Sequence, residues 1–275
     1  MGNQEYNVNA AFNYWKRHSE EVQYICKRIP PPCPQRGDEN YYVWRFNNFM
    51  ERHRDCVHEP PVYYYGRLLE TDRLQAKMIL EAMEPESIPG MVKEYWLGLD
   101  KALREKQEEA KEYERNDKKW TPDLTESYGF KYCLAFGKLL RPKLTGKGQI
   151  WIDNSLDLLQ EYMEAGVVKK KWKSKENPFF NSRYGLNDED KMNKFYTNIE
   201  LNDSRFRSFA FATHPDAYIH GGIVDLPVSD WLFIIITPEL KEWRSYETWI
   251  QAIIVGLKIL MNELEKVKNW IRDFF

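Results

Sequence analysis

Arg52 and His58 stand with five residues between them in the run Arg52-His53-Arg54-Asp55-Cys56-Val57-His58, and the two side-chain types suit phosphate chemistry. A guanidinium recognises a phosphate through paired N–H donors, and an imidazole titrates near neutral pH, where it can pass a proton. A second gathering is His214-Pro215-Asp216-Ala217-Tyr218-Ile219-His220-Gly221-Gly222, the densest meeting of His, Asp, Tyr and Gly in the chain. Here His214, Asp216 and His220 are the candidate ligand-binding residues, with Gly221-Gly222 read as a hairpin turn and Pro215 as a break in the preceding strand. A third set, Cys26, Cys33, His53, Cys56 and His58, holds enough ligands for a tetrahedral zinc ion. Its Cys-x6-Cys spacing is too wide and its Cys-x-His spacing too tight for a zinc module, and Cys26 falls on an apolar helix stripe. No metal and no other cofactor is expected.

The Arg52–His58 pair resembles the loose Arg-x(4–6)-His pattern of HEPN-type ribonucleases, a resemblance that covers those seven residues. It implies a metal-independent RNA-cleaving site between helices of a dimer, with Arg52 holding the scissile phosphate and His58 transferring the proton. Pro60-Pro61 ends the helix directly after the pair, where that family's helix continues. Other familiar chemistries lack their motifs, since the sequence has no GxGxxG, no phosphate-cradling Gly-Lys-Ser/Thr and no GxSxG. The cluster Lys169, Lys170, Lys171, Lys173 and Lys175 surrounds Trp172. At a net charge of −2 for the whole chain, it reads as a solvated loop rather than a nucleic-acid site.

The elements that must position these residues are mostly helical. Apolar spacing predicts helices over 11–26, 42–53, from 63, over 71–83 and over 92–103, separated by proline breaks. A charged extension is expected to carry the last of these into solvent through 119, with Asp100–Arg104 and Glu114–Lys118 as i, i+4 pairs. Further helices are expected from Thr121-Pro122 to Pro142 and over 155–165, with Gly166 at the end of the latter. Residues 169–187 read as a polar loop. The segments 206–213, 217–226 and 231–237 read as strands of a small antiparallel β element (about 205–237). An uninterrupted stripe from Ile250 to Phe274 predicts a long C-terminal amphipathic helix. The expected fold is mainly α (α+β), one domain over 1–275, with a subdivision into 1–166 and 187–275 as the alternative.

With 275 residues, 43% hydrophobic and 30% charged, the chain can build a core without disulfides. The polar start MGNQEYNVNA has no apolar leader, the longest near-apolar stretch is too short to cross a bilayer, and four cysteines predict reduced thiols. These features predict a cytoplasmic protein without a membrane partner. Its aromatic content of 15% and charged helical surfaces predict a non-enzymatic protein-binding protein. An antidote or immunity-like protein, or a phage–host interaction factor, has this texture. Homo-oligomerisation is compatible with it, and the ribonuclease using Arg52 and His58 is the alternative.

Overall fold

The computed structural model describes residues 30–54, 58–66, 90–115 and 118–236, and the described chain is mainly α. The helices expected over 11–26, 71–83 and 246–275, the long C-terminal amphipathic helix among them, lie outside the described residues. None of the described helices is long and apolar enough to cross a membrane.

Helix α1 (Asn40–Arg52) follows the predicted stripe, burying Tyr41, Tyr42, Arg45, Phe46, Phe49 and Met50 on one face. The single-turn helix α2 (Val62–Tyr65) starts after Pro60-Pro61 and buries three consecutive tyrosines between α1 and the C-terminal half. It stops at Gly66, whose φ is +68° and where a Cβ would lie 1.9 Å from the Asp123 carbonyl oxygen, so no larger residue fits. Helix α3 (Gly90–Glu109) buries Tyr95, Leu99 and Leu103 at i, i+4 and i+8. Its Arg104 Nε lies 2.8 Å from Asp100 Oδ2, the pair expected from spacing.

The charged extension to 119 does not form. Helix α3 ends at Glu109, and β1 (Tyr113–Arg115) pairs antiparallel with β2 (Lys118–Trp120), Tyr113 opposite Trp120. The turn brings Tyr113 against Phe46, its hydroxyl donating to Asn47, and buries Trp120. A continuing helix would have held the Tyr113 ring away from α1. Gln107 also binds the returning chain, donating to the Pro122 carbonyl at 2.8 Å and accepting from the Leu124 N–H at 3.1 Å.

Helix α4 (Tyr128–Leu134) starts later than Thr121-Pro122, at the Ser127 cap, whose oxygen accepts from the Phe130 N–H. It continues into a π turn, Ala135–Leu140, and a 3-10 turn, Arg141–Lys143, where Pro142 stops it. Helix α5 (Gly146–Val167) is twice the length expected over 155–165. Thr145 caps it, and the Asp230 carboxylate in turn takes the Thr145 N–H at 2.9 Å and hydroxyl at 2.6 Å. Gly166 lies inside α5 rather than at its end. The chain leaves the helix through Lys170, left-handed at φ 55°.

The remaining helices are α6 (Pro178–Tyr184), α7 (Glu189–Tyr196), α8 (Asp203–Gly221) and α9 (Val228–Ile236). The described residues of the strands expected over 206–213, 217–226 and 231–237 run as α8, a 3-10 turn (Ile223–Asp225) and α9, and among the described residues the antiparallel pair sits at 113–120 instead. Phe206, Phe209, Ala210, Thr213 and Ala217 recur at three and four along α8 and are buried, Phe206 against Tyr63 and Tyr64 of α2 and Phe209 against Gly166 of α5. Phe211, whose alternation with Phe209 suggested a strand, packs half-buried on Tyr63 and Tyr128 across the helix. With both sides apolar, the period that would have marked the helix is blurred. Helices α5 and α8 lie antiparallel, with Gly166 against Phe209 and Gly221 against Ser155.

Candidate functional site

His214, Asp216 and His220 all lie on α8, not on a strand and loop. The structure brings two of them to one place and sends the third elsewhere. His214 is buried beside Tyr128, Phe211 and Tyr218. Pro215 has no N–H for the Phe211 carbonyl. The His214 ring bonds instead to this turn, its Nδ1 2.9 Å from the Ala210 oxygen, with further hydrogen bonding to the Phe211 backbone. Burial pushes this imidazole down to about 4, so it is neutral at pH 7. It has no opening to a ligand and serves the helix.

Asp216 and His220, one turn apart, face the segment after α5. Asp216 is 1% exposed; its carboxylate accepts the Ser174 hydroxyl and, at 2.6 Å, the Lys175 N–H. His220 Nδ1 is 2.7 Å from the Tyr162 hydroxyl of α5, and its Nε2 is 3.6 Å from Glu176 Oε1. Burial, then the nearby Asp216 and Glu161 carboxylates, push the Tyr162 phenol up. The phenol thus stays protonated and is hydrogen-bonded to the ring. A carboxylate, imidazole and phenol in line can hold a proton in place, yet here each also ties an element: loop, α8 and α5.

The same loop is gripped from three more sides. Tyr196 donates to the Trp172 carbonyl at 2.7 Å, and the Trp172 indole is buried among Tyr162, Phe180 and Phe209. Asn181 accepts from the Ser174 N–H at 3.0 Å and donates back to its carbonyl at 2.6 Å. Ser174 Oγ accepts the Asn177 N–H at 2.8 Å. Residues 169–187, expected as a free polar loop, are a clamped segment followed by α6. Lys171, Lys173 and Lys175 face outward, while Trp172 and Ser174 alternate inward. Tryptophan inside the lysine run was the signal for this, because an indole amid charges seeks burial.

Arg52 and His58 do not converge as an open pair. Arg52, at the end of α1, donates Nη2–H to Glu200 Oε2 at 2.7 Å and Nε–H to Asn48 at 2.7 Å, with its guanidinium over the Phe49 ring. The other Glu200 oxygen accepts the Tyr64 hydroxyl at 2.9 Å. His53, rather than His58, is the histidine beside Arg52, its Nε2 3.4 Å from Nη1; His58 stands edge-on to His53 with ring centres 5.5 Å apart.

Two turns earlier the same helix repeats the arrangement more deeply. Arg45, 0% exposed, pairs with Glu164 of α5, which also accepts the Tyr41 hydroxyl at 2.8 Å and the Cys33 N–H at 3.0 Å. Burial alone would lower the Arg45 pKa, but Tyr41, Tyr64, Glu164 and Glu200 together hold it above its ordinary value. Sequence spacing could not find this group, because nothing in α1 marks which arginine meets a carboxylate more than a hundred residues away.

Beside Glu164 opens a cleft of about 390 Å³ lined by Cys33, Arg36, Asp157, Val168 and Lys169 among others. Arg36 is already paired with Asp157 at 3.1 Å and Glu161 at 3.6 Å. The Cys33 thiol donates to the Gln35 carbonyl, and burial pushes its pKa up, which keeps it a thiol rather than a nucleophile. Among the described residues, no group of three His, Cys, Asp or Glu side chains is placed to hold a metal ion. Cys26 and Cys56 of the sequence candidate set lie outside those residues. Comparison with protein-family models, with curated proteins and with solved structures gives no match.

Proposed function

We propose that this chain is a non-enzymatic cytoplasmic protein that works by binding another protein, as an antidote or immunity-like protein or a phage–host interaction factor does. The observation that carries the reading is the engagement of Arg52 by Glu200 at 2.7 Å. A guanidinium held by a buried carboxylate would have to leave that partner to take a phosphate, at a cost of a few kcal/mol. His214 and Asp216 are similarly committed to the Ala210 carbonyl and to the 174–175 backbone and hydroxyl. The groups with chemistry in them join elements, and the surface is left to do the work. Exposed apolar side chains suited to a contact are Leu97, Ile150 and Val224, each more than 60% exposed.

The test has two arms. Pure protein incubated with RNA in the presence of a metal chelator should leave it intact. Cleavage that His58→Ala abolishes, with an unchanged circular dichroism spectrum, would replace this reading by the ribonuclease. In the second arm, replacing Leu97, Ile150 or Val224 by Asp should lower recovery of a stoichiometric protein partner from the native cell. Arg52→Lys with His58→Ala should not.

A further inference from the structure

The lysine segment is held in one conformation with its charges unspent. None of Lys169, Lys170, Lys171, Lys173 and Lys175 forms an ion pair with a described carboxylate. Of the acids beside it, Asp216 is taken up by the Ser174 hydroxyl and the Lys175 N–H, and Glu176 faces His220 at 3.6 Å. Three lysines, 171, 173 and 175, share the outward side of a non-helical segment. Burial alternates strictly along 171–175, so Trp172 and Ser174 fix the side on which the three ammonium groups stand. Four residues beyond Lys175, Phe179 of α6 is 72% exposed, and Arg183 is exposed one turn further on the same helix.

We propose that Lys171, Lys173 and Lys175, with Phe179 and Arg183, form a binding site for single-stranded nucleic acid, the ammonium groups on successive phosphates and the Phe179 ring beneath a base. A positive row followed closely in the chain by an exposed ring supplies the two parts that track a backbone and stack its bases. The ring specifies a single strand, because bases in a duplex already cover each other's faces. Lysine is depleted from the cores of protein–protein contacts but is a common phosphate ligand, which favours nucleic acid over an acidic protein. The clamp favours it over a lipid surface. Lipids rearrange under any cluster of charges, whereas a strand with fixed phosphate spacing gains from a row already ordered. The site is local: the chain's net charge of −2 predicts no general affinity for polyanions.

A fluorescein-labelled uridine dodecamer, titrated with the full chain and read by anisotropy, tests this. Three phosphate contacts give a log–log salt slope of about −2, or about 20-fold weaker binding between about 50 and 200 mM salt. The triple variant Lys171→Glu, Lys173→Glu and Lys175→Glu should abolish binding, all three side chains being exposed. Phe179→Ala should weaken it about 5- to 150-fold with the salt slope unchanged, since stacking carries no charge. Asp216→Asn makes the surface more positive, yet should weaken binding, because its amide nitrogen cannot accept the Ser174 hydroxyl and the clamp loosens. Binding that survives the triple variant, is indifferent to Phe179→Ala, or tightens in Asp216→Asn would overturn the proposal. So would capture by phosphatidylserine vesicles, or by polyglutamate, with none by the oligonucleotide. Leu97, Ile150 and Val224 enter neither the site nor its test, so failure here leaves the protein-binding reading standing, and the reverse.

Discussion

Burying a histidine gives this protein a pH response that can be assigned to one side chain. His214 titrates at about 4 in the fold and near 6.5 when unfolded. The unfolded chain therefore takes up the proton first, and the neutral ring's contribution is intact above about pH 6.5 and lost as pH falls toward 4. At pH 5 the loss comes to roughly 2 kcal/mol. Urea denaturation at pH 7 and pH 5 should show a smaller drop in His214→Gln than in the parent by about that amount; equal drops would mean the ring is not desolvated. Glu164 poses the opposite case, an ion whose partner cannot reach water. Glu164→Gln leaves Arg45 at 0% exposure without its counter-charge and should cost about 3–5 kcal/mol. A loss under about 1 kcal/mol would show that water enters there. At this scale the sequence was least legible. Residue types at 52, 214, 216 and 220 mark capacity for chemistry, but their roles were fixed by Glu200, Ala210, Ser174 and Tyr162, none of which spacing could name.

Two contacts between elements can be probed by small changes. Helix α5 approaches α8 closely at Gly166, where a Cβ would meet Phe209 Cζ at 2.2 Å and Tyr196 Cε1 at 2.8 Å. Both obstacles are rigid rings, so Gly166→Ala should destabilise by about 1–3 kcal/mol, as overpacking does. Gly146→Ala in the same helix meets nothing within 4 Å and should change stability by less than about 1 kcal/mol in the same thermal melt. The clamp on the lysine segment predicts resistance to trypsin after Lys171 and Lys173. Asp216→Asn should speed cleavage there severalfold by mass spectrometry, and an unchanged rate would mean the other anchors suffice. Helix α1 was legible because its stripe has one polar and one apolar side. Helix α8 was not, because tyrosines cover the side away from α5, and a two-sided apolar helix imitates a buried strand. The hairpin at 113–120 was hidden for the converse reason: its strands are three residues each, within a charged run that also satisfies helix spacing.

Across the whole molecule, a mainly α architecture was readable from periodicity and proline breaks, whereas the pairing of distant parts was not. The long-range bonds that fix it begin on α1. Arg45 reaches Glu164 across 119 positions and Arg52 reaches Glu200 across 148. These separations set an order of events on the ribosome. At about 5–20 residues per second, roughly 7–30 s pass between the synthesis of Arg52 and that of Glu200. Until Glu164 is made, α1 carries two uncompensated cations, and until Glu200 follows it still carries one. Helix α1 is thus held open by its own charges, and completed by carboxylates made long after it.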